Sequence, residues 1–277
     1  MSANRPGLSH VDKIQTPPSA KKNPAVGRPA RYGLAGVKAW FWPNADRRER
    51  WVRAQLAQLP AGSKLLDVGA GEQPYRRYCP QVRYFAQDSG EYRPGTQGLQ
   101  IAGWQYGRLD YRGNAWEISE KKAFFDALLC TEVLEHIPYP NETLIEFGRL
   151  LKPGGTLLLT VPYAALPHMQ PQFFFSGFSQ EYFRYFLTQA GFAVEEISSN
   201  GTTGDYLFQE VVRLGLELPL WARALYWPAM LPPLALLKLL ALVRPQAKKL
   251  VFGYHIRARK KGVLPPPDRR EKPRKRP

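Results

Sequence analysis

Short apolar runs and helix-period stripes take turns along this chain. Residues 63–68 (SKLLDV) form a run of strand length, preceded by Pro60-Ala61-Gly62 and followed by glycines at 69 and 71. A second run at 82–86 leads into Gln87-Asp88, and a short third strand is predicted near 105–109, just before Asp110. Runs at 125–130 and 156–161 are the next two, followed by 192–197 and by an alternating stretch at 250–258 that should lie beside it. Between the runs the period changes to that of a helix. Trp51, Val52, Leu56 and Leu59 share one face of a helix opened by Asn44 or Asp46. Asn141 is expected to cap a helix through Leu151, broken by Lys152-Pro153-Gly154-Gly155. Ser179 should cap Gln180–Gln189, which stops at Ala190-Gly191. No internal repeat recurs at a fixed period.

This alternation predicts an α/β fold: a Rossmann-like, doubly wound, mainly parallel sheet of seven strands with helices on both faces. Ligands of such sheets bind beyond the carboxyl ends of the strands. Gly69, Asp88, Asp110 and Thr131 all follow predicted strands. Before the last strand comes an apolar helical insertion at 206–248. Its longest uncharged stretch, 224–237, is fourteen residues and is interrupted by Pro228, Pro232 and Pro233. A membrane-spanning helix needs about 20 apolar residues. Two short apolar helices are expected instead, with Arg213, Arg223, Lys238, Arg244, Lys248 and Lys249 at their margins. They would suit a membrane interface, a cap over the sheet or a dimer surface.

Composition adds the ends of the chain. Of the net charge of +16, residues 1–31 carry +5 and residues 257–277 carry +8, leaving +3 for the 225 residues between. The basicity therefore belongs to Pro-rich segments with too little apolar surface to build a core. Three regions are expected: a disordered basic arm at 1–35, a folded domain at 36–262 and a disordered basic tail at 263–277. The arm and tail suit anionic lipid or nucleic acid, but with the folded part nearly neutral and no RNA-binding module recognisable, nucleic acid is the less favoured partner. Residues 1–30 contain no apolar core of a signal peptide. Cys79 and Cys130 make neither a disulfide framework nor a metal pattern, so no metal is expected and a cytoplasmic setting is, peripheral to the inner membrane face if the insertion meets lipid.

The chemistry starts at residues 65–75, LLDVGAGEQPY. A phosphate-cradling loop closed by Gly-Lys-Ser/Thr is absent. A dinucleotide fingerprint needs a third glycine at position 74, where this chain has Pro74. What remains is Asp67, a Gly69-Ala70-Gly71 turn, and a second acid, Asp88, twenty-one residues after Asp67 at the tip of the next strand. There its carboxylate can accept hydrogen bonds from two ribose hydroxyls. Asp110, one strand further on, is within reach of an adenine amino group. A nucleoside with a cationic tail and no phosphate fits this set, and S-adenosylmethionine is such a cofactor.

With LLDVGAGEQPY, the acid of FAQDSG, FDALLCTEVLEHIP and RLLKPGGTLLLTVP in this order, the chain resembles the class I S-adenosylmethionine-dependent methyltransferases of the type 11 group over about 65–192. The resemblance implies that Gly69, Ala70 and Gly71 approach the cofactor and that Asp67 lies near its amino-acid end. It also places Asp88 on the ribose, Asp110 at the adenine, and Cys130, Thr131 and Glu132 along the pocket.

The substrate side should follow strands four and five, where 161–186 read VPYAALPHMQPQFFFSGFSQEYFRYF. His168 is the candidate general base and Tyr163 a candidate for orienting the acceptor. His136, after Glu132 and Glu135, reads as a group that bonds local backbone or shapes the pocket floor. Similar proteins carry His-x-x-Pro followed by Asp-aromatic-x-Arg-aromatic-Thr. This chain keeps His168 and Pro171 but has Phe173-Phe174-Phe175-Ser176-Gly177-Phe178 where the acid and arginine belong, which implies a more apolar acceptor pocket. The expected activity is methyl transfer to a hydroxyl or carboxyl of a small or lipid-linked acceptor at a membrane surface. RNA methylation and a catalytically inactive, cofactor-binding scaffold are the alternatives, and no oligomeric state is implied.

Overall fold

The computed structural model describes residues 43–92, 104–243 and 249–262, all within one compact unit, Gly36–Pro277. The expectations for 1–35 and 263–277 lie outside the described residues. The strands are β1 (Lys64–Val68), β2 (Arg83–Asp88), β3 (Tyr111–Arg112), β4 (Phe125–Thr131), β5 (Leu151–Pro162), β6 (Phe192–Asn200) and β7 (Gly253–Lys260). They form one sheet in the order β3-β2-β1-β4-β5-β7-β6. Pairing is parallel from β3 through β5, whereas β7 is antiparallel to both β5 and β6. The predicted neighbours β6 and β7 do pair, with β7 inserted between β6 and β5.

Five helices surround the sheet among the described residues: α1 (Pro43–Leu56), α2 (Pro140–Leu150), α3 (Gln180–Gln189), α4 (Thr203–Glu217) and α5 (Leu220–Val243). Alternate strand residues point to opposite faces, and the core divides accordingly. Leu66, Val68, Leu128, Cys130, Leu157 and Leu159 pack with Leu144 and Phe147 of α2 and Phe183 and Leu187 of α3. On the other face Leu65, Ala127, Leu129 and Leu158 pack with Val52 and Leu56 of α1. The sheet is therefore covered on both sides, and its strands read as continuous apolar runs for that reason.

Three local expectations differ from the structure. The third strand is not 105–109 but Tyr111–Arg112, after Asp110 rather than before it. Asp110 pairs with Ala86 through both backbone and side chain: its N–H donates to Ala86 O at 2.8 Å, and its Oδ2 accepts from Ala86 N at 2.9 Å. The carboxylate thus takes the acceptor position that a longer strand would supply. Asn141 does not cap α2, which starts at Pro140 after Tyr139. Proline suits the first helical position because its missing N–H would have no partner there, and Asn141 Oδ1 instead accepts from the Tyr182 hydroxyl at 2.6 Å. Ser179 does cap α3, accepting from Tyr182 N.

The insertion is two helices, as expected, but they are not short. It is α4, closed into a capping box by Thr202 and Asp205, and the 24-residue α5, which runs through Pro228, Pro232 and Pro233. The break falls at Pro219, whose carbonyl accepts from Ala222 N and Arg223 N at the start of α5. The two helices share a small core of Phe208, Val212 and Leu234, with Trp227 and Met230 against it. No described helix is long and apolar enough to cross a membrane.

Candidate active site

A cleft of about 1110 Å³ opens beyond the carboxyl ends of β1, β2, β4 and β5. Its floor is the turn after β1. Asp67 and Val68 lie between Ala86 and Gln87 of β2 and Leu129 and Cys130 of β4. Gly69 then turns left-handed at φ 67° and Gly71 at φ 50°. Both need glycine for space as well as for backbone freedom. A Cβ on Gly69 would come 2.3 Å from Val133, and one on Gly71 2.6 Å from the Trp104 indole.

Side chains of β2 hold this turn. Gln87 is buried; its backbone carbonyl accepts from Ala70 N at 2.9 Å, and its Nε2 donates to Gly113 O at 2.6 Å. Asp88 accepts from Gly71 N through Oδ2 at 3.0 Å and from Gly90 N through Oδ1 at 2.9 Å. Each of its oxygens retains a lone pair. Beside it Trp104 stands edge-on to Tyr92 and Tyr106, at ring separations of 5.4 and 5.8 Å.

Thr131 ends β4, and Glu132 follows at φ 53°, a left-handed conformation that non-glycine residues seldom adopt. Its carboxylate forms a 3.0 Å ion pair with Arg48 of α1. Burial opposes the Arg48 charge, but Glu132, with help from Tyr75, holds it above its usual pKa. α1 is fixed over this end of the sheet by Arg47 on Asp205 at 3.0 Å and by Asn200 on Asn44 Oδ1 at 2.8 Å. Leu134–His136 is a single 3-10 turn that turns Glu135 inward. Glu135 is only 1% exposed, and its Oε2 has no hydrogen-bond partner. Burial first, and the Glu132 charge second, push its carboxyl well above the ordinary range.

Two imidazoles stand beside it. His136 Nδ1 lies 2.5 Å from Gln172 O, and His168 Nδ1 lies 2.9 Å from Leu166 O. In both rings the backbone carbonyl fixes Nδ1 as the protonated nitrogen and leaves the Nε2 lone pair free. The rings meet edge to face at 4.7 Å. Burial lowers the His136 pKa to about 4, with His168 adding to the effect, so His136 is neutral at physiological pH. His136 lines the cleft, but the carbonyl it meets is that of Gln172, 36 residues on, rather than the local backbone.

Of the residues singled out from the sequence, Asp67, Gly69, Ala70, Asp88, Thr131, Glu132 and His168 line the cleft. Gly71 lies just behind, its N–H on Asp88. Three are not among the cleft-lining residues. Asp110 is engaged with Ala86 N, and the cleft wall near it is Gly113, Asn114, Ala115 and Trp116. Cys130 is fully buried in the α2/α3 face, because the residue at that register points away from Asp67's face. Tyr163 likewise packs against the core and Tyr254 rather than facing the cleft. The sequence reading missed Arg48, Trp104, Glu135 and the α4 wall of Tyr206, Gln209, Glu210 and Arg213. The last set has helical spacing, the one legible signal of a cleft-facing stripe.

The lining carries seven carboxyl groups (Asp67, Glu72, Asp88, Glu91, Glu132, Glu135, Glu210) against two guanidiniums, Arg48 and Arg213, and the acids outnumber the guanidiniums even with Glu135 and Asp67 left out of the count for their raised pKa values. An acidic cleft in a chain of net charge +16 rejects phosphates and welcomes a cation. The left-handed glycine turn, the free lone pairs of Asp88, the aromatic wall and this charge fit a nucleoside cofactor with a positively charged tail.

Comparison with known proteins gives the same assignment. The model of the family described as "Methyltransferase domain" matches residues 44–197. A ubiquinone biosynthesis O-methyltransferase of Xanthomonas axonopodis pv. citri (strain 306) is 34% identical over 119 residues, 41% of this chain and 48% of that protein. The protein of the same name from Xylella fastidiosa (strain M23) is 44% identical over 55 residues, 19% of this chain and 22% of the relative. The matches thus span about half or less of these relatives' length. Among solved structures, the [4+2]-cyclase SpnF shares the fold with a TM-score of 0.50 at 22% identity, over 79% of this chain and 82% of the cyclase. With more than half of its length matched to the family, and with the glycine turn, the ribose-type acid and the cation-favouring cleft in place, this chain belongs to the class I S-adenosylmethionine-dependent methyltransferases.

Proposed function

We propose that this protein methylates a hydroxyl oxygen of a small or lipid-linked acceptor, working as a peripheral protein on the cytoplasmic face of a membrane. The observation that carries the reading is the pairing, in one acidic cleft, of a nucleoside-type site around Gly69 and Asp88 with two carbonyl-anchored imidazoles. When bound, S-adenosylmethionine supplies a methyl group on a positively charged sulfur. Asp88 receives the ribose hydroxyls on its free lone pairs, while Gly69 and Ala70 admit the cofactor close to the backbone. Glu132 supplies negative charge to the cationic tail, and Asp67, whose carboxyl burial raises to about 7, adds to it once a bound cation favours loss of its proton. His168, with Nδ1 fixed on Leu166 O, presents Nε2 as the base that takes the acceptor hydroxyl's proton. Phe174, with Leu166 and Met169, gives this part of the cleft an apolar lining that keeps water from the reacting oxygen.

A hydroxyl acceptor is supported by relatives named as O-methyltransferases. Membrane docking is supported by α5, which exposes Leu220, Trp221, Leu225, Leu231, Leu236 and Leu239. An apolar helix face flanked by basic segments suits a lipid interface. Incubating the purified protein with methyl-labelled cofactor and cell extract, then separating lipids, small molecules, RNA and protein, tests the proposal. Label is expected in the lipid or small-molecule fraction, reduced at least about tenfold by Asp88→Ala, which removes hydrogen bonds to a charged acceptor. Label confined to RNA or protein refutes it.

A further inference from the structure

One ring nitrogen from each of His136 and His168 and one Glu135 carboxylate oxygen lie within 4.8 Å of one another in the cleft. We propose that these three side chains form a binding site for a divalent transition-metal ion, which takes up the acceptor's hydroxyl oxygen. The site is built rather than accidental. Each imidazole already has its Nδ1 tied to a backbone carbonyl, at 2.5 Å for His136 and 2.9 Å for His168. That arrangement is how metal-ligating histidines are oriented and their tautomer set. Glu135 supplies the second, independent observation: a carboxylate almost wholly withdrawn from water, with Oε2 unpartnered. A buried carboxylate with one oxygen unpartnered carries a desolvation cost, which a bound cation would offset.

The donor chemistry narrows the ion. Two imidazole nitrogens and one carboxylate oxygen suit zinc, manganese or iron(II) over magnesium or calcium, which prefer all-oxygen shells. His136 Nε2 lies 3.8 Å from Glu135 Oε1, while ligands on one ion with bonds of about 2.1 Å stand roughly 3–3.5 Å apart. Small side-chain rotations close that gap. Three protein ligands also leave positions open, as in catalytic sites. Phe173 lies 5.0 Å from the His168 ring and 6.0 Å from the His136 ring. The backbone N–H groups of Phe174 and Phe175 both donate to Glu135 O. The phenylalanine run thus locks the His168 loop to the Glu135 turn and forms an apolar shell around the site.

The role of the ion rests on the methyl-transfer reading; its binding does not. In that role the acceptor hydroxyl binds the ion and releases its proton to solvent. The resulting oxygen anion forms the new C–O bond to the methyl carbon, and the broken C–S bond leaves its electron pair on sulfur. His168 is then a ligand rather than a free base, and the two roles are separable by experiment.

The full chain, stripped with a chelator, is titrated with Co2+ by visible absorption and with Zn2+ by calorimetry. Cofactor binding is measured separately. One ion per chain with a nitrogen-ligand cobalt spectrum is expected, and His136→Ala, His168→Ala and Glu135→Gln should each weaken binding by at least about tenfold. His168 is half-buried on a loop, so His168→Ala should still fold, and it should bind the cofactor like the parent. No stoichiometric ion, or binding unchanged in His168→Ala, overturns the metal site and leaves His168 as the base. Metal binding without cofactor binding would overturn the methyltransferase reading of the cleft and leave the metal site standing.

Discussion

Asp67 is the most informative single group to perturb, because it sits buried at the floor of the cleft with an acid's charge to lose. It is 1% exposed and accepts a short hydrogen bond from the Tyr84 hydroxyl. Burial pushes its carboxyl up from 3.8 to about 7; the Tyr84 bond opposes the shift and the Asp88 charge adds to it. A raised folded-state pKa means the folded chain holds the proton more tightly than the unfolded one. The stability from this group is therefore fully present below the unfolded pKa, near 3.8, falls as pH rises toward about 7, and is flat above. A separation of about three pKa units corresponds to about 4 kcal/mol. The measurement is a comparison with Asp67→Asn, which keeps an acceptor for Tyr84 but does not titrate. Urea unfolding of both proteins from about pH 4 to pH 8 gives the difference in stability at each pH. The parent should lose about 4 kcal/mol relative to Asp67→Asn across that range, with nearly all of the loss below pH 7. A difference that stays constant with pH would show that Asp67 is hydrated in the folded state, and the account of the cleft floor would be wrong.

Two further outcomes test other parts of the structure. Gly69→Ala forces a Cβ into a left-handed turn and against Val133, so it should cost at least about 1–2 kcal/mol; adding Val133→Ala should recover the steric part of that loss in thermal unfolding, but not the backbone part. Leu225→Glu, at a position 74% exposed on α5, should leave unfolding unchanged while sharply weakening sedimentation with anionic liposomes; undiminished liposome binding would remove α5 from the membrane contact.

Much of the architecture was legible because a sheet covered on both faces needs uninterrupted apolar strands. Residues 63–68, 125–130 and 156–161 announce themselves in that way, although β5 begins earlier, at Leu151, through the Lys152-Pro153-Gly154-Gly155 stretch read as a break. Ser179 was legible as a cap because its hydroxyl satisfies an N–H three residues ahead, a purely local bond. The ends of the signal are equally physical. The third strand was misplaced because two residues carry almost no pattern, and Asp110 was assigned to the ligand although its carboxylate completes the sheet edge. Asn141 had a capping residue's chemistry, yet Pro140 starts the helix and Tyr182 takes the amide.

The sequence by itself determined the order of strands and helices, the left-handed turn that only glycines 69 and 71 allow, and the acid at the tip of β2. These follow from local sterics and from the two-residue and 3.6-residue periods, which need no knowledge of distant partners. Tertiary structure decided what faces the cleft. The alternation of the pleat sends Cys130 into the core, while packing brings Arg48 from α1 to Glu132 and the α4 stripe to the rim. It also brings His168, thirty-two residues beyond His136, into edge contact with that ring beside a buried carboxyl group, one oxygen of which has no hydrogen-bond partner. Such convergence depends on how elements far apart in the chain fold over one sheet edge, and no spacing in the sequence records it.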